Sequence, residues 1–275
     1  MPRPKTTQEL KQLPYAERQL LTFVQDVVWE AEVKAEENPK KHQFGWSDIL
    51  KFLPAFPFGA YVAIGELVYS AYKKMKEDGS KMLTAPYSWA QGLRMLPGHP
   101  RDTVLYVAHP IQADVYFPTA DFHRFVFEHK FAEALKLLMH LGAKTCSVKH
   151  QRGWNRDFAS TLSAGIPAAG FECEAEGGTS SSEGQSILYE AEFQGHNSPE
   201  IPDGLVWFQH EPTWQSLAEG RLKFGLRKFS LQLNYNDDFS VHAGLKVKAE
   251  KAGFDLGGKF TDHVSTSWSI AGTFA

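Results

Sequence analysis

Residues 229–274 constrain the fold most, because apolar and polar side chains alternate there with a period of two. Phe229, Leu231, Leu233 and Tyr235 alternate with Ser230, Gln232 and Asn234, and the turn Asn236-Asp237-Asp238 follows. Phe239, Val241, Ala243, Leu245 and Val247 repeat the pattern, as do Phe254, Leu256 and Phe260, and then Trp268, Ile270 and Phe274. A period of two places alternate side chains on opposite faces of a strand. Four such runs joined by short turns predict an antiparallel meander with its apolar face on a core.

The first hundred residues read differently. In 16–36 the apolar positions Leu20, Phe23, Val24, Val27, Val28 and Ala31 fall three and four apart, the spacing of an amphipathic helix. A second helix is expected over 58–76, since Pro54 and Pro57 bar an earlier start, and a short one over 88–96, ended by Pro97-Gly98. The run 103–108 predicts a strand, 119–141 a helix with Thr119 as N-cap, and 144–150 a further strand. Strict alternation in 171–176 and 187–193, around the Gly/Ser-rich GGTSSSEGQS, predicts a hairpin, and a short helix is expected over 213–224. The expected class is α+β, a helical N-terminal layer packed on a mainly antiparallel sheet that ends in the meander. Without repeats or a Pro-rich linker, 1–275 is read as one domain, helix-rich over 1–100, mixed over 101–150 and β-rich over 151–275.

Composition narrows function by exclusion. The chain is 43% hydrophobic and 22% charged, which excludes collagen-like, coiled-coil and disordered classes. A formal net charge of -3 supplies no global positive field, so nucleic acid is not an expected partner despite the basic segment Lys144, Lys149, His150, Arg152, Trp154 and Arg156. The polar start of the chain has no apolar secretory core, and Cys146 and Cys173 read as buried thiols; the expected location is cytoplasmic. No phosphate-gripping loop, GxSxG elbow, HExxH or CxxC pair occurs, and no cofactor is expected.

Two functional readings remain. The leading one is a non-enzymatic effector or interaction protein that acts by self-association or partner binding. Its residues are the five carboxylates Glu172, Glu174, Glu176, Glu190 and Glu192, which share one face of the expected hairpin, and the lysines Lys246, Lys248 and Lys259 on the polar face of the meander. Like charges across a ladder repel, so the two stripes call for each other or for a partner. A membrane-active, pore-forming variant of this reading uses the same amphipathic hairpin and the 58–76 helix, with Phe58, Tyr61, Ile64, Leu67 and Val68 facing lipid after activation.

The alternative is a metal-dependent hydrolase-like enzyme built from His123, Glu128, His129, His210 and Glu211. His123 and His129 are six residues apart on one helix, about 120° around its axis, which argues against a shared metal. His129 and Glu133 stand at i,i+4 and suit a pair. Glu211, ahead of Pro212, is expected to cap the helix that follows, beside Trp207 and Trp214. His99 and His109 both precede proline and read as turn residues held by backbone groups.

Overall fold

The structure, a computed structural model, describes residues 3–37, 59–154 and 187–275. In chain order its elements are α1 (Thr7–Gln12), α2 (Tyr15–Arg18), β1 (Leu20–Val24), α3 (Asp26–Glu37), α4 (Gly59–Glu77), β2 (Met82–Pro86), β3 (Leu105–Ala108) and β4 (Tyr116–Pro118). Then come α5 (Phe122–His140), β5 (Ala143–Arg152), β6 (Ile187–Glu192), α6 (Pro212–Phe224), β7 (Lys228–Tyr235), α7 (Ala243–Ala252) and β8 (Thr266–Phe274). The class is α+β, with two mainly antiparallel four-stranded sheets, ordered β2-β1-β3-β4 and β6-β5-β8-β7. Where the sequence reads as one domain, contacts divide the chain into two compact units, Met1–Phe125 with Phe239–Asp262, and Val126–Asp238 with His263–Ala275.

The first unit is built around β1, which the sequence spacing assigned to a helix. All five residues of Leu20–Val24 are buried, and the strand pairs parallel with β2 and antiparallel with β3. A run buried on both faces is what an interior strand needs; Thr22, the one polar residue in it, donates its hydroxyl to the Val104 carbonyl at 3.1 Å, and the apolar positions satisfy three-and-four spacing incidentally. The helix begins only at Asp26, with the Gln25 carbonyl accepting from the backbone N–H groups of Val28 and Trp29. Leu10, Phe23, Trp89, Tyr106 and Tyr116 fill the core beside this sheet. Helices α3 and α4 pack on β2, so the N-terminal helices cover the sheet of their own unit. The expected helix over 88–96 is a 3-10 turn, Tyr87–Gly92.

The expected meander is corrected in its middle. Residues 243–252 form α7, because Val241, Leu245 and Ala249 also fit a spacing of four, and Ala, Leu, Lys and Glu favour a helix there. Leu245 and Ala249 are buried while Val247, an inward position in a strand, stands 45% exposed. His242 caps the start, its Nδ1 accepting from Gly244 N–H at 3.0 Å. Gly253 ends the helix at φ 107, a conformation open to glycine. Residues 254–260 make one bridge, between Asp255 and Val104, rather than a strand.

The second unit keeps the antiparallel strands of the expectation. β8 pairs with β7 from Thr266↔Tyr235 to Thr273↔Lys228, and with β5 on its other side. Trp268 and Ile270 point inward, and Phe127 and Phe131 from α5 meet the Trp268 ring edge-to-face at 4.8 and 5.4 Å. Trp154 stacks on Tyr235 at 5.4 Å, and its carbonyl accepts from the Trp268 indole at 2.9 Å. Buried Arg221 of α6 donates to the carbonyls of Leu141, Leu226 and Ala275 at 3.1, 3.1 and 2.8 Å, so its charge is spread over three acceptors. Of the expected 171–193 hairpin, 187–192 is strand β6, paired with β5; residues 155–186 lie outside the described residues.

Gly272 lies where β8 passes closest to its neighbours. A Cβ there would stand 1.9 Å from the Thr145 carbonyl oxygen and 2.7 Å from Phe229 Cζ. Gly272→Ala is therefore expected to cost about 3 kcal/mol of stability, read as a lower denaturant midpoint in equilibrium unfolding.

Candidate functional site

The residues proposed for catalysis are placed apart and are engaged with the fold. His123 is fully buried, and its Nε2 donates to the Val241 carbonyl. Glu128 is half-buried on α5. His129 Nδ1 accepts from the Trp207 indole at 3.1 Å. His210 is exposed at the end of a 3-10 turn, Phe208–His210, and Glu211 makes no capping bond. The Glu211 carboxylate instead pairs with the buried Lys130 ammonium, a charge-assisted bond stronger than one to a helix N–H group.

Around that pair the structure gathers a network. Lys130 Nζ also donates to the Asn234 carbonyl at 2.8 Å and sits 5.3 Å over the Trp207 ring. Glu133 does not pair with His129. Its carboxylate accepts from the backbone N–H groups of Val206, Trp207 and Phe208 at 2.6, 2.7 and 2.8 Å. The bonds of Glu133, His129 and the Lys130–Glu211 pair fix residues 206–211 to α5. Among the described residues, no three His, Cys, Asp or Glu side chains stand close enough to hold a metal ion. Lys130 escaped sequence reasoning because its partners come from segments 77 or more residues away.

A second polar cluster lies in the loop before β3. The Tyr106 hydroxyl accepts from Arg101 N–H and donates to His99 Nδ1, both at 2.7 Å, and the Tyr87 hydroxyl donates to Asp102 at 2.5 Å. Burial pushes the Tyr106 hydroxyl up to about 12, and burial with the Asp102 bond raises Tyr87 further. Burial, then the charge of Arg101, holds the His99 imidazole below its ordinary value. Thr103 follows at φ 61, a strained conformation for a β-branched residue, and its carbonyl accepts from Asp255 N–H at 2.9 Å. His109, as expected of a turn residue, accepts at Nδ1 from the backbone of Ile111 and Gln112.

The charged stripes fall into different places. Glu190 and Glu192 are exposed on β6, whereas Glu172, Glu174 and Glu176 lie outside the described residues. Lys246 and Lys248 are on α7 and Lys259 on the loop beyond it, in the other unit, so they do not form a sheet stripe. Lys246 instead approaches Glu250 at 4.0 Å, one helical turn on. The cations that share a sheet with the glutamates are Lys144, Lys149 and Arg152 on β5 and Lys228 on β7, the strand farthest from β6 among the described residues.

Strand register builds this face row by row. Glu192, Thr145, Thr273 and Lys228 form one row across the four strands, and Glu190, Ser147, Ala271 and Ser230 the next. Ile187, Lys149, Ser269 and Gln232 form the third. All are exposed or half-buried, and the first two rows, Ser230 apart, line a shallow depression of about 670 Å³ with the intervening backbone. Thr145 and Thr273 bond hydroxyl to hydroxyl at 2.9 Å, and Ser267 donates to Asn234 at 2.8 Å. The first two rows thus carry short hydroxyl and methyl side chains on the central strands, with carboxylates on β6 and an ammonium on β7, and the third row adds the Lys149 ammonium and the exposed Ile187. The opposite face packs Cys146 inward, where burial pushes the thiol up to about 12 and leaves it a poor nucleophile. Trp154, proposed in the basic segment, lies in the core and offers no open stacking platform, and Arg156 lies outside the described residues.

Of the membrane residues, Phe58 lies outside the described residues, and Tyr61 and Ile64 fall on α4 where side chains are not described. Val68 is buried and Leu67 is 51% exposed. Among the described residues no helix is long and apolar enough to cross a membrane. No family model, curated protein or solved structure matches the chain.

Two outcomes follow from the polar clusters. Glu133→Gln turns an amide toward backbone N–H donors and is expected to cost about 2 kcal/mol, seen as a lower thermal midpoint. For His99, whose folded pKa lies below its unfolded 6.5, stability is full above that value and falls as pH drops through the folded pKa. His99→Gln should flatten that part of the stability curve, measured by denaturant titrations stepped downward from neutral pH.

Proposed function

We propose that this is a non-enzymatic protein that acts by self-association through the solvent face of the β6-β5-β8-β7 sheet. The observation that carries the reading is two neighbouring rows of one face with carboxylates on β6, an ammonium on β7 and short hydroxyl or methyl groups between. A face meant only for water gains nothing from being flat, and long charged side chains serve solubility better. Short side chains let a second flat surface approach, and edges of opposite sign set its register. A cytoplasmic location belongs to the same proposal, supported by the unpaired, buried Cys146. Membrane activity is no part of it, since Val68 is committed to the core.

The hydrolase-like alternative draws no support from geometry. His129 and Glu211 are occupied by Trp207 and Lys130, and His210 stands apart in solvent.

Ala271 lies mid-face, half-buried, and an arginine there fills the flat surface without entering the core. In sedimentation velocity the wild-type chain is expected to form a heavier species that grows with concentration. Ala271→Arg should stay at one chain with an unchanged thermal midpoint. A wild-type protein that sediments as a single chain up to its solubility limit overturns the reading.

A further inference from the structure

Glu192 and Lys228 close the two ends of a single row, Glu192–Thr145–Thr273–Lys228. Three strand spacings separate them, about 14 Å, well beyond ion-pair reach within one molecule. Among the described residues, no ion pair involves Glu190, Glu192 or Lys228. The charges of this face are therefore complementary in sign but not satisfied by each other.

We propose that the face is closed by a second copy of the chain, about a two-fold axis that lies in the interface, runs parallel to the strands and passes between Thr145 and Thr273. This rests on the self-association reading and adds the partner's orientation to it. Rotation about that axis exchanges β6 with β7 and β5 with β8 and leaves height along the strands unchanged. Because Glu192 and Lys228 share a row, Glu192 of each copy then meets Lys228 of the other, and the contact is made twice. The Thr145 and Thr273 hydroxyls of the two copies face one another at the axis. An axis across the strands would instead lay β6 on β6 and bring Glu190 and Glu192 against their own equivalents, so charge selects the first arrangement.

Side-chain size agrees with this choice. In the first two rows Thr145, Ser147, Ala271 and Thr273 stand on the central strands, where two sheets must approach, and the long Glu192 and Lys228 stand on the outer strands, where they reach around the contact; Lys149, one row beyond Ser147, faces the other copy's Ser269. Four strands about 19 Å wide and rows spanning about 25 Å give about 1,000 Å² buried over both copies. That is the lower end of specific interfaces, so the dimer is reversible and weakens with salt.

The test uses the full chain and charge reversal in sedimentation equilibrium. Glu192→Lys and Lys228→Glu, each alone, place like charges at both contacts and should weaken the dimer about tenfold or more. An equimolar mixture of the two variants restores opposite charges at both contacts and should recover a two-copy species near wild-type strength, as should the double variant. Both sites are exposed, so thermal midpoints should match wild type. Two results overturn the arrangement while leaving association through the face intact. One is a dimer lost in Ala271→Arg yet not recovered by the mixture or the double variant; the other is growth beyond two copies. A wild-type chain that never associates removes the reading beneath it as well.

Discussion

The register of β8 is the constraint on which the second unit depends. This strand is paired on both sides, with β5 and with β7, over nearly its whole length. Its period of two sends Trp268 and Ile270 to the aromatic core and Ser267, Ser269, Ala271 and Thr273 to the opposite face. A slip of one residue would put hydroxyls against Phe127 and Phe131 and expose an indole, so both ladders are held in one alignment. The same register that fills the core also lines up the polar rows, and core and surface are specified by a single strand.

Buried charge serves this architecture by joining segments distant in sequence. Arg221 gathers the end of α5, the turn after α6 and the chain's last carbonyl, while Glu133 holds three consecutive N–H groups of the 206–208 segment. Lys130 does the same through Glu211 and Asn234. Each ion is surrounded by groups of opposite polarity, which offsets the cost of removing it from water.

Much of the fold was legible wherever one period alone fitted the residues. β7 and β8 alternate without ambiguity, and α5 and α6 carry helical spacing, though neither expected cap holds: the Thr119 hydroxyl donates to the Leu105 carbonyl from a 3-10 turn ahead of α5, and Glu211 makes no capping bond. Two segments fitted both periods and were misread in opposite directions. Leu20–Val24 is a buried strand whose apolar run mimics a helix face, and Ala243–Ala252 is a helix whose Leu245 and Val247 mimic strand alternation. In each, tertiary burial decided what local pattern left open. Half of the site was legible too: Glu190 and Glu192 stood out as alternating carboxylates, but their counterpart Lys228 reaches the same row only through β5 and β8, a pairing no local pattern displays.

The position of α7 in the chain has a consequence for how the protein is made. After β7 the chain leaves one sheet, contributes Phe239–Asp262 to the other unit, and only then returns as β8. Within that excursion Asp255 bonds to Thr103 and Leu105, and Leu256 to Ala120, contacts more than a hundred residues apart in sequence. On a ribosome, the first unit therefore waits for Phe239–Asp262 to emerge, long after Phe125, and the second lacks one of its two central strands until β8 follows. Neither unit is a contiguous stretch that a protease or a gene fusion could release intact. Such a chain folds late and slowly, with long-range closure as its bottleneck.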